Sequence, residues 1–187
     1  MTYSLLSSEE STVVNTVTDE KFVNVYTSSE EAAQLLDNGR TLVSVQYWFD
    51  VAALGCHSYS TDIHRIRIRV DKGIPFLGIR SRNIPPEPSK TGSGGGGRRY
   101  TDDSSTYGWL LNGATVIHGK LHVDSAKDKK GEGHIYTLTL DCDERQLRLV
   151  NENTNEQYKI KVDIGHAPFP WCLFVENSQQ TGRLSLI

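Results

Sequence analysis

The sequence predicts an all-β fold in which antiparallel strands form a sandwich or barrel, and three observations support this class. Apolar and polar residues alternate with period two over many short segments, the pattern of half-buried strands. Turn-forming residues such as Asp37-Asn38-Gly39 and Asn112-Gly113 separate these segments. Helix signals are scarce, which leaves room for one or two short helices at most. Short strands joined by turns are typical of antiparallel sheets.

The clearest strand is "HRIRIRV", in which Ile66, Ile68 and Val70 are expected to face the core and the three arginines the other side. "VSVQYWF" and "YTLTL" alternate in the same way, and "QLRLV", "YKIKV" and "RLSLI" repeat the pattern. "WCLFV" is apolar on both faces, as expected of a central strand. Two sets of residues are each predicted to share one face: Val43, Val45, Tyr47 and Phe49, and then Tyr136, Leu138 and Leu140.

One segment, "SSEEAAQLLDNG", fits two structures. Ser28 or Ser29 can cap a short helix that ends before Gly39. The same residues can form two strands closed by Asn38-Gly39. Local propensity favours the helix or a helical turn.

Composition and charge suit a globular protein with no basic excess. The 187 residues, 37% of them hydrophobic, predict a single domain over residues 1–187. The net charge of -3 argues against a dedicated nucleic-acid binder. The sequence has no secretory signal and no run of ~18 apolar residues. Three widely spaced cysteines are expected to be reduced, which indicates a cytoplasmic protein. We also expect a monomer that does not associate with membranes.

The glycine-rich stretch "TGSGGGGRRY" formally contains G-x-G-x-x-G at Gly92, Gly94 and Gly97. A dinucleotide site needs a strand before this motif and a helix after it, and neither is indicated here. The phosphate-loop pattern lacks its Lys and its Ser or Thr, because Arg98 and Arg99 follow Gly97. We therefore predict a long Pro/Gly-rich flexible loop at residues 84–104 within one domain.

No catalytic or metal-binding motif stands out, and we predict no enzyme activity, no cofactor and no metal. His118 and His122 lie on one face of a predicted strand, where they do not converge on an ion. The arginine stripe at 65, 67 and 69 leaves weak binding of RNA or phosphate open, although a solvated face is favoured. A lectin-like sandwich that binds or processes glycans is a further alternative.

The order of several short motifs resembles that of the SPRY domain family, as in tripartite-motif and SOCS-box proteins. Leu77-Gly78-Ile79 stands at the place of the family's glycine-centred strand, and "STYGW" resembles its S-x-G-W element. "GEGHIYTLTLDCDERQLRLV" resembles its hairpin ending in L-D, and "APFPWCLFVENSQQTGRLSLI" its terminal strand pair. The resemblance covers Ile63 to Ile187. It implies a concanavalin A-like sandwich of two antiparallel sheets.

The resemblance also implies a non-catalytic module whose loops at one end bind a peptide or protein. Family roles include substrate recognition for ubiquitin ligases and adaptor functions in immunity. Carried over by position, the partner-binding residues are Arg80, Ser81, Arg82, Asn83, Arg99, Tyr100, Val175, Glu176 and Asn177. The last three are expected in the turn between the final two strands. An aromatic or arginine side chain is the expected anchor of such a site.

Overall fold

The computed structural model describes residues 13–27, 29–45, 50–88, 100–123, 131–177 and 181–187. Short 3-10 helices lie at Glu30–Ala32 and Asp37–Gly39. In chain order the strands are β1 (Val14–Val17), β2 (Phe22–Tyr26), β3 (Ala33–Leu36), β4 (Thr41–Ser44), β5 (Val51–Gly55), β6 (Ile63–Lys72), β7 (Phe76–Ser81), β8 (Tyr107–Leu110), β9 (Ala114–Ile117), β10 (Lys120–Val123), β11 (Ile135–Asp141), β12 (Gln146–Asn151), β13 (Gln157–Lys161), β14 (Trp171–Asn177) and β15 (Arg183–Leu186).

The strands form two sheets, which confirms the predicted two-sheet β-sandwich. Sheet A has the order β13-β12-β11-β6-β15-β4-β3, with β1 added in parallel against β6. Sheet B has the order β10-β9-β8-β7-β14-β5-β2, and its pairings are antiparallel. A main hydrophobic core contains buried residues from both sheets. Within the described ranges, no helix has the length and apolar character needed to cross a membrane.

The alternating segments of β6, β11 and β12 place their side chains as predicted. Ile66, Ile68 and Val70 are buried in the main core, while the arginines between them lie on the outer face of sheet A. Every residue of β14 is buried, as expected from its apolar sequence and from its place between β7 and β5. Alternation predicts these strands correctly because successive side chains of a strand point to opposite faces, so a strand that buries one face has apolar residues at every second position.

The helix predicted after Ser29 is wrong, and the alternative hairpin is found. After a single 3-10 turn, β3 pairs with β4 in antiparallel register. Asp37 and Asn38 adopt φ of 52° and 55°, as a tight hairpin turn requires. Pairing with the sheet outweighs the weak helix propensity of these residues. In β4, Leu42 and Ser44 are fully buried, whereas Val43 is half-buried and Val45, just after the strand, is 37% exposed.

The two strands that flank the glycine-rich stretch are neighbours in sheet B, since β7 pairs with β8. Residues 89–99 of the predicted loop lie outside the described residues, as do Tyr47 and Phe49. The cysteines carry free thiols, and burial raises the pKa of Cys142 to about 12 and that of Cys172 to about 11. Thiols of this kind are protonated and unreactive at neutral pH.

Candidate interaction surface

The outer face of sheet B carries apolar side chains, although it points away from the main core. A second hydrophobic cluster lies there, called the outer cluster: Ala52, Leu54, Phe76, Tyr100, Val116, Cys172 and Phe174. All but Tyr100 belong to strands of sheet B. Tyr100 belongs to the covering segment, residues 82–88 and 100–106, which joins β7 to β8. The outer cluster is therefore buried between the sheet and this segment.

Two glycines shape the middle of this face. Gly78 in β7 pairs directly with Gly108 in β8. A Cβ atom added at Gly78 would lie 2.1 Å from the Tyr107 carbonyl oxygen and 2.7 Å from Cζ of Phe76. The missing side chains leave space that the Phe76 ring occupies. This packing explains why glycine stands at the centre of "LGI" and "YGW".

Arg80 lies on the same face and is fully buried. Its Nη2 donates to the Pro85 carbonyl at 3.2 Å and lies 3.3 Å from Oδ1 of Asp103. The guanidinium carbon is 5.1 Å from the centre of the Phe174 ring. Burial lowers the pKa of Arg80 below its usual value, while Asp103 opposes the shift. Nε and Nη1 have no hydrogen-bond partner among the described residues.

Arg82 and Asn83 follow β7 at one end of the sandwich. Nη2 of Arg82 donates to the carbonyls of Gly55 and His57, and its backbone N–H donates to Pro170 at 2.8 Å. Arg82 thus joins the end of β5 to the chain that precedes β14. Asn83 is exposed.

Tyr100 attaches the other part of the covering segment to sheet B. Its ring lies 6.1 Å from that of Tyr26, centre to centre, at a tilt of 51°. Its backbone N–H donates to Oε2 of Glu176 at 3.0 Å. Only 6% of Tyr100 is exposed. The aromatic anchor predicted at this position therefore packs within the domain.

The predicted residues do not all meet at one end. Ser81 is the last residue of β7 and pairs with Trp171, whereas Glu176 pairs with Phe76 at the start of β7. The two ends of β14 are about 20 Å apart, from ~3.3 Å per residue.

The expected position of Val175, Glu176 and Asn177 in a turn is thus wrong, since β14 continues through Asn177. Ser81 and these three residues are buried. Arg99 lies outside the described residues. A binding role for the nine residues stays a prediction.

The outer face of sheet A carries a shallow groove of about 330 Å³, lined by Thr16, Arg65, Arg67, Thr137, Thr139, Arg148 and Val150. Thr139 pairs in register with Arg65 on one side and Arg148 on the other. Arg67 is ion-paired with Glu152 at 2.8 Å, whereas Arg65 and Arg148 have no ion pair within the described ranges. The arginine stripe predicted from the sequence includes Arg65 but not Arg148, which the register places two strands away, on the other side of Thr139.

Comparison with known proteins gives no matching family model and no matching curated protein. Solved structures do match. The SPRY domain of human HERC1 aligns with a TM-score of 0.61 at 14% identity, over 84% of this chain and 95% of that one. The TRIM65 PSpry domain aligns with a TM-score of 0.62 at 14% identity, over 92% and 93%. The chain has a SPRY-like fold.

Part of the stonustoxin structure also aligns, with a TM-score of 0.64 at 10% identity over 92% of this chain and 27% of that chain. These identities establish the fold alone. The resemblance predicted from the motifs is therefore confirmed as a SPRY-like fold. Its two glycine-centred motifs lie in the adjacent strands β7 and β8, where they build the bare centre of the outer face of sheet B.

Proposed function

We propose that this protein is a non-catalytic interaction module that binds a peptide or protein surface at the covering segment of sheet B. Arg82 and Asn83 are the proposed contact residues beside Arg80, and Tyr100 supports the site by attaching the covering segment near the other end of β14. The observation that carries the proposal is the burial of Arg80 with two donor nitrogens unpaired among the described residues. Substrate recognition for a ubiquitin ligase is the finer role that this function suggests.

A buried arginine of this kind is costly for stability. Replacing a buried ionic group by an apolar residue of similar volume is often neutral or stabilising. Each unpaired buried donor adds a desolvation penalty. Groups that violate these rules concentrate at functional sites. A ligand that displaces part of the covering segment would bring a carboxylate or a backbone carbonyl to Nε and Nη1 as the acceptor that each of them lacks.

Arg80→Met is expected to separate binding from stability. The free energy of unfolding should fall by no more than about 2 kcal/mol, because methionine fills the space without a buried charge. Asp103 loses its ion pair, but it is partly exposed and keeps the N–H and hydroxyl of Ser105 as donors. Peptides would be selected on the wild-type protein from a random display library, and their affinities measured by fluorescence polarisation. The affinity is expected to fall about tenfold or more, since a hydrogen bond to a charged group contributes about 1.5–3 kcal/mol.

Arg183→Met is the matched control, because Arg183 is an exposed arginine on sheet A that pairs with Asp71. It should leave the selected peptides bound as before. Arg82→Ala extends the test to the start of the covering segment, and Tyr100→Ala tests the attachment of that segment to sheet B. Wild-type affinity in all three of Arg80→Met, Arg82→Ala and Tyr100→Ala would contradict the proposed site. The apolar outer cluster weighs against the glycan-binding alternative, which needs converging polar groups on a sheet face.

The groove on sheet A favours a second candidate, weak binding of a phosphate-bearing strand such as RNA. Arg65 and Arg148 flank Thr139, and Lys159 pairs with Arg148 on the next strand. An RNA oligonucleotide held by three such cations should lose affinity with salt, with a log–log slope of about -2. Arg65→Gln combined with Arg148→Gln leaves one of the three cations and should reduce that slope to about -0.7. Lys120→Gln, on the exposed edge strand β10, is the control, and a salt-independent affinity would exclude this candidate.

A further inference from the structure

Three potential metal ligands meet at one end of the sandwich although they are far apart in sequence. His118 lies in the turn between β9 and β10, and Asp163 and His166 lie in the connection from β13 to β14. Their ligand atoms all lie within 4.8 Å of one another. His118 is half-buried and the other two are exposed. The cluster is thus accessible from solvent and separate from the outer cluster.

The turn that carries His118 is held rigidly. His118 and Gly119 adopt φ of 52° and 69°, and the Gly119 N–H donates to the Thr106 carbonyl at 3.1 Å. Nδ1 of His118 lies 2.7 Å from the Tyr107 hydroxyl, which fixes the ring. That contact leaves Nε2 as the nitrogen available to an ion. In metal sites, a hydrogen bond to the ring nitrogen that does not bind the metal orients the histidine ligand in this way.

The connection from β13 to β14 also holds its two potential ligands, Asp163 and His166, in place by hydrogen bonds. The carbonyl of Asp163 accepts backbone N–H bonds from His166 at 3.1 Å and Ala167 at 2.9 Å. Oδ1 of Asp163 accepts the Gly165 N–H at 2.8 Å, and Oδ2 lies 3.0 Å from Nδ1 of His166. The hydrogen bond from the Gly165 N–H and, to a smaller extent, the contact with His166 hold the pKa of Asp163 below its usual range. The carboxylate is therefore ionised at neutral pH.

We propose that His118, Asp163 and His166 bind one Zn²⁺ ion. The rings of the two histidines are already in contact, with centres 4.2 Å apart. Two imidazoles and one carboxylate are a donor set that zinc accepts in sites with three protein ligands. Such a set leaves a coordination position open to water or to a group from a partner.

A second group of potential ligands, Glu20, Cys56 and His57, provides an internal comparison. Its carboxylate is already committed, since Glu20 accepts the Tyr59 hydroxyl and the backbone N–H groups of Lys21 and His57. Burial and, to a smaller extent, the nearby charge of Glu20 raise the pKa of the Cys56 thiol. The raised pKa disfavours the thiolate that zinc needs. The proposed ion therefore belongs to the histidine–aspartate cluster.

Titration of the full chain with Zn²⁺ by calorimetry tests the site. We expect one ion per chain and a rise in melting temperature of about 5–10 °C at a hundredfold excess over Kd. His118→Asn, Asp163→Asn and His166→Gln should each weaken zinc binding at least about tenfold. Asparagine is chosen at 118 because it tolerates a positive φ.

His122→Gln and Cys56→Ser are the controls and should bind Zn²⁺ as tightly as wild type. His122 lies on the exposed strand β10, four residues beyond His118. Co²⁺ in place of Zn²⁺ should give visible absorption bands that His118→Asn removes. Wild-type affinity in the three ligand variants, loss of binding in Cys56→Ser, or no binding heat at all would each overturn the proposal.

Discussion

Gly78→Ala is expected to lower the free energy of unfolding by about 4 kcal/mol or more. The added Cβ would lie 2.1 Å from the Tyr107 carbonyl oxygen and 2.8 Å from Cα of Gly108. Both atoms belong to the paired strand β8, so relief requires separating β8 from β7. The Phe76 ring would also be displaced from its place over the two glycines, which disturbs the outer cluster.

Urea denaturation followed by fluorescence measures this effect. Gly133→Asn is the matched control, because nothing lies within 4 Å of a Cβ built there and asparagine tolerates its φ of 80°. The control should cost about 1 kcal/mol or less. A loss below about 1 kcal/mol for Gly78→Ala would show that β7 and β8 separate more easily than their register indicates.

Glu20→Ala is expected to lower the free energy of unfolding by about 3 kcal/mol. Glu20 is 2% exposed and accepts the hydroxyl hydrogen of Tyr59, which is itself 4% exposed. Burial and, to a smaller extent, the charge of Glu20 raise the pKa of Tyr59 well above its usual value, so the hydroxyl remains protonated and can donate. Alanine would leave this buried hydroxyl and the backbone N–H of His57 without their acceptor.

A double-mutant cycle with Tyr59→Phe isolates the contact between the two side chains. Glu20→Ala and Tyr59→Phe should be coupled by at least about 1 kcal/mol, because each removes the other's partner. Glu31→Ala, an exposed carboxylate in the first 3-10 helix, is the control and should change stability by less than about 0.5 kcal/mol. Purely additive losses would contradict the proposed contact. Since His57 also supports Arg82, this corner connects stability to the proposed interaction surface.

Local pattern was sufficient to predict most of the fold. The alternation in β6, β11 and β12 predicts strands because each of them buries one face. The motifs around Gly78 and Gly108 predict the SPRY-like fold because their glycines are required where β7 meets β8. The hairpin β3–β4 was predicted only as the less favoured alternative, because four-residue strands carry too little alternation to outweigh helix propensity.

The candidate sites were less predictable, because they depend on contacts that no local pattern contains. Arg82 and Glu176 lie near opposite ends of β14 because β14 runs antiparallel to β7. The local sequence does not indicate which strand pairs with which or in what direction. His118 and Asp163 are brought together by two connections at one end of the sandwich. The only local signal for that cluster is the spacing of Asp163 and His166, and such spacing is common without a metal.

The sheet order described above also determines when the domain can fold. The strands latest in the sequence, β14 and β15, occupy interior positions, between β7 and β5 and between β6 and β4. Neither sheet is complete until residues 171–186 have been synthesised, and both strands then pair with partners about 100 residues or more earlier in the chain. Such long-range pairing slows folding and exposes unpaired strand edges during synthesis. A ribosome-bound intermediate lacking β14 and β15 would therefore need protection from aggregation.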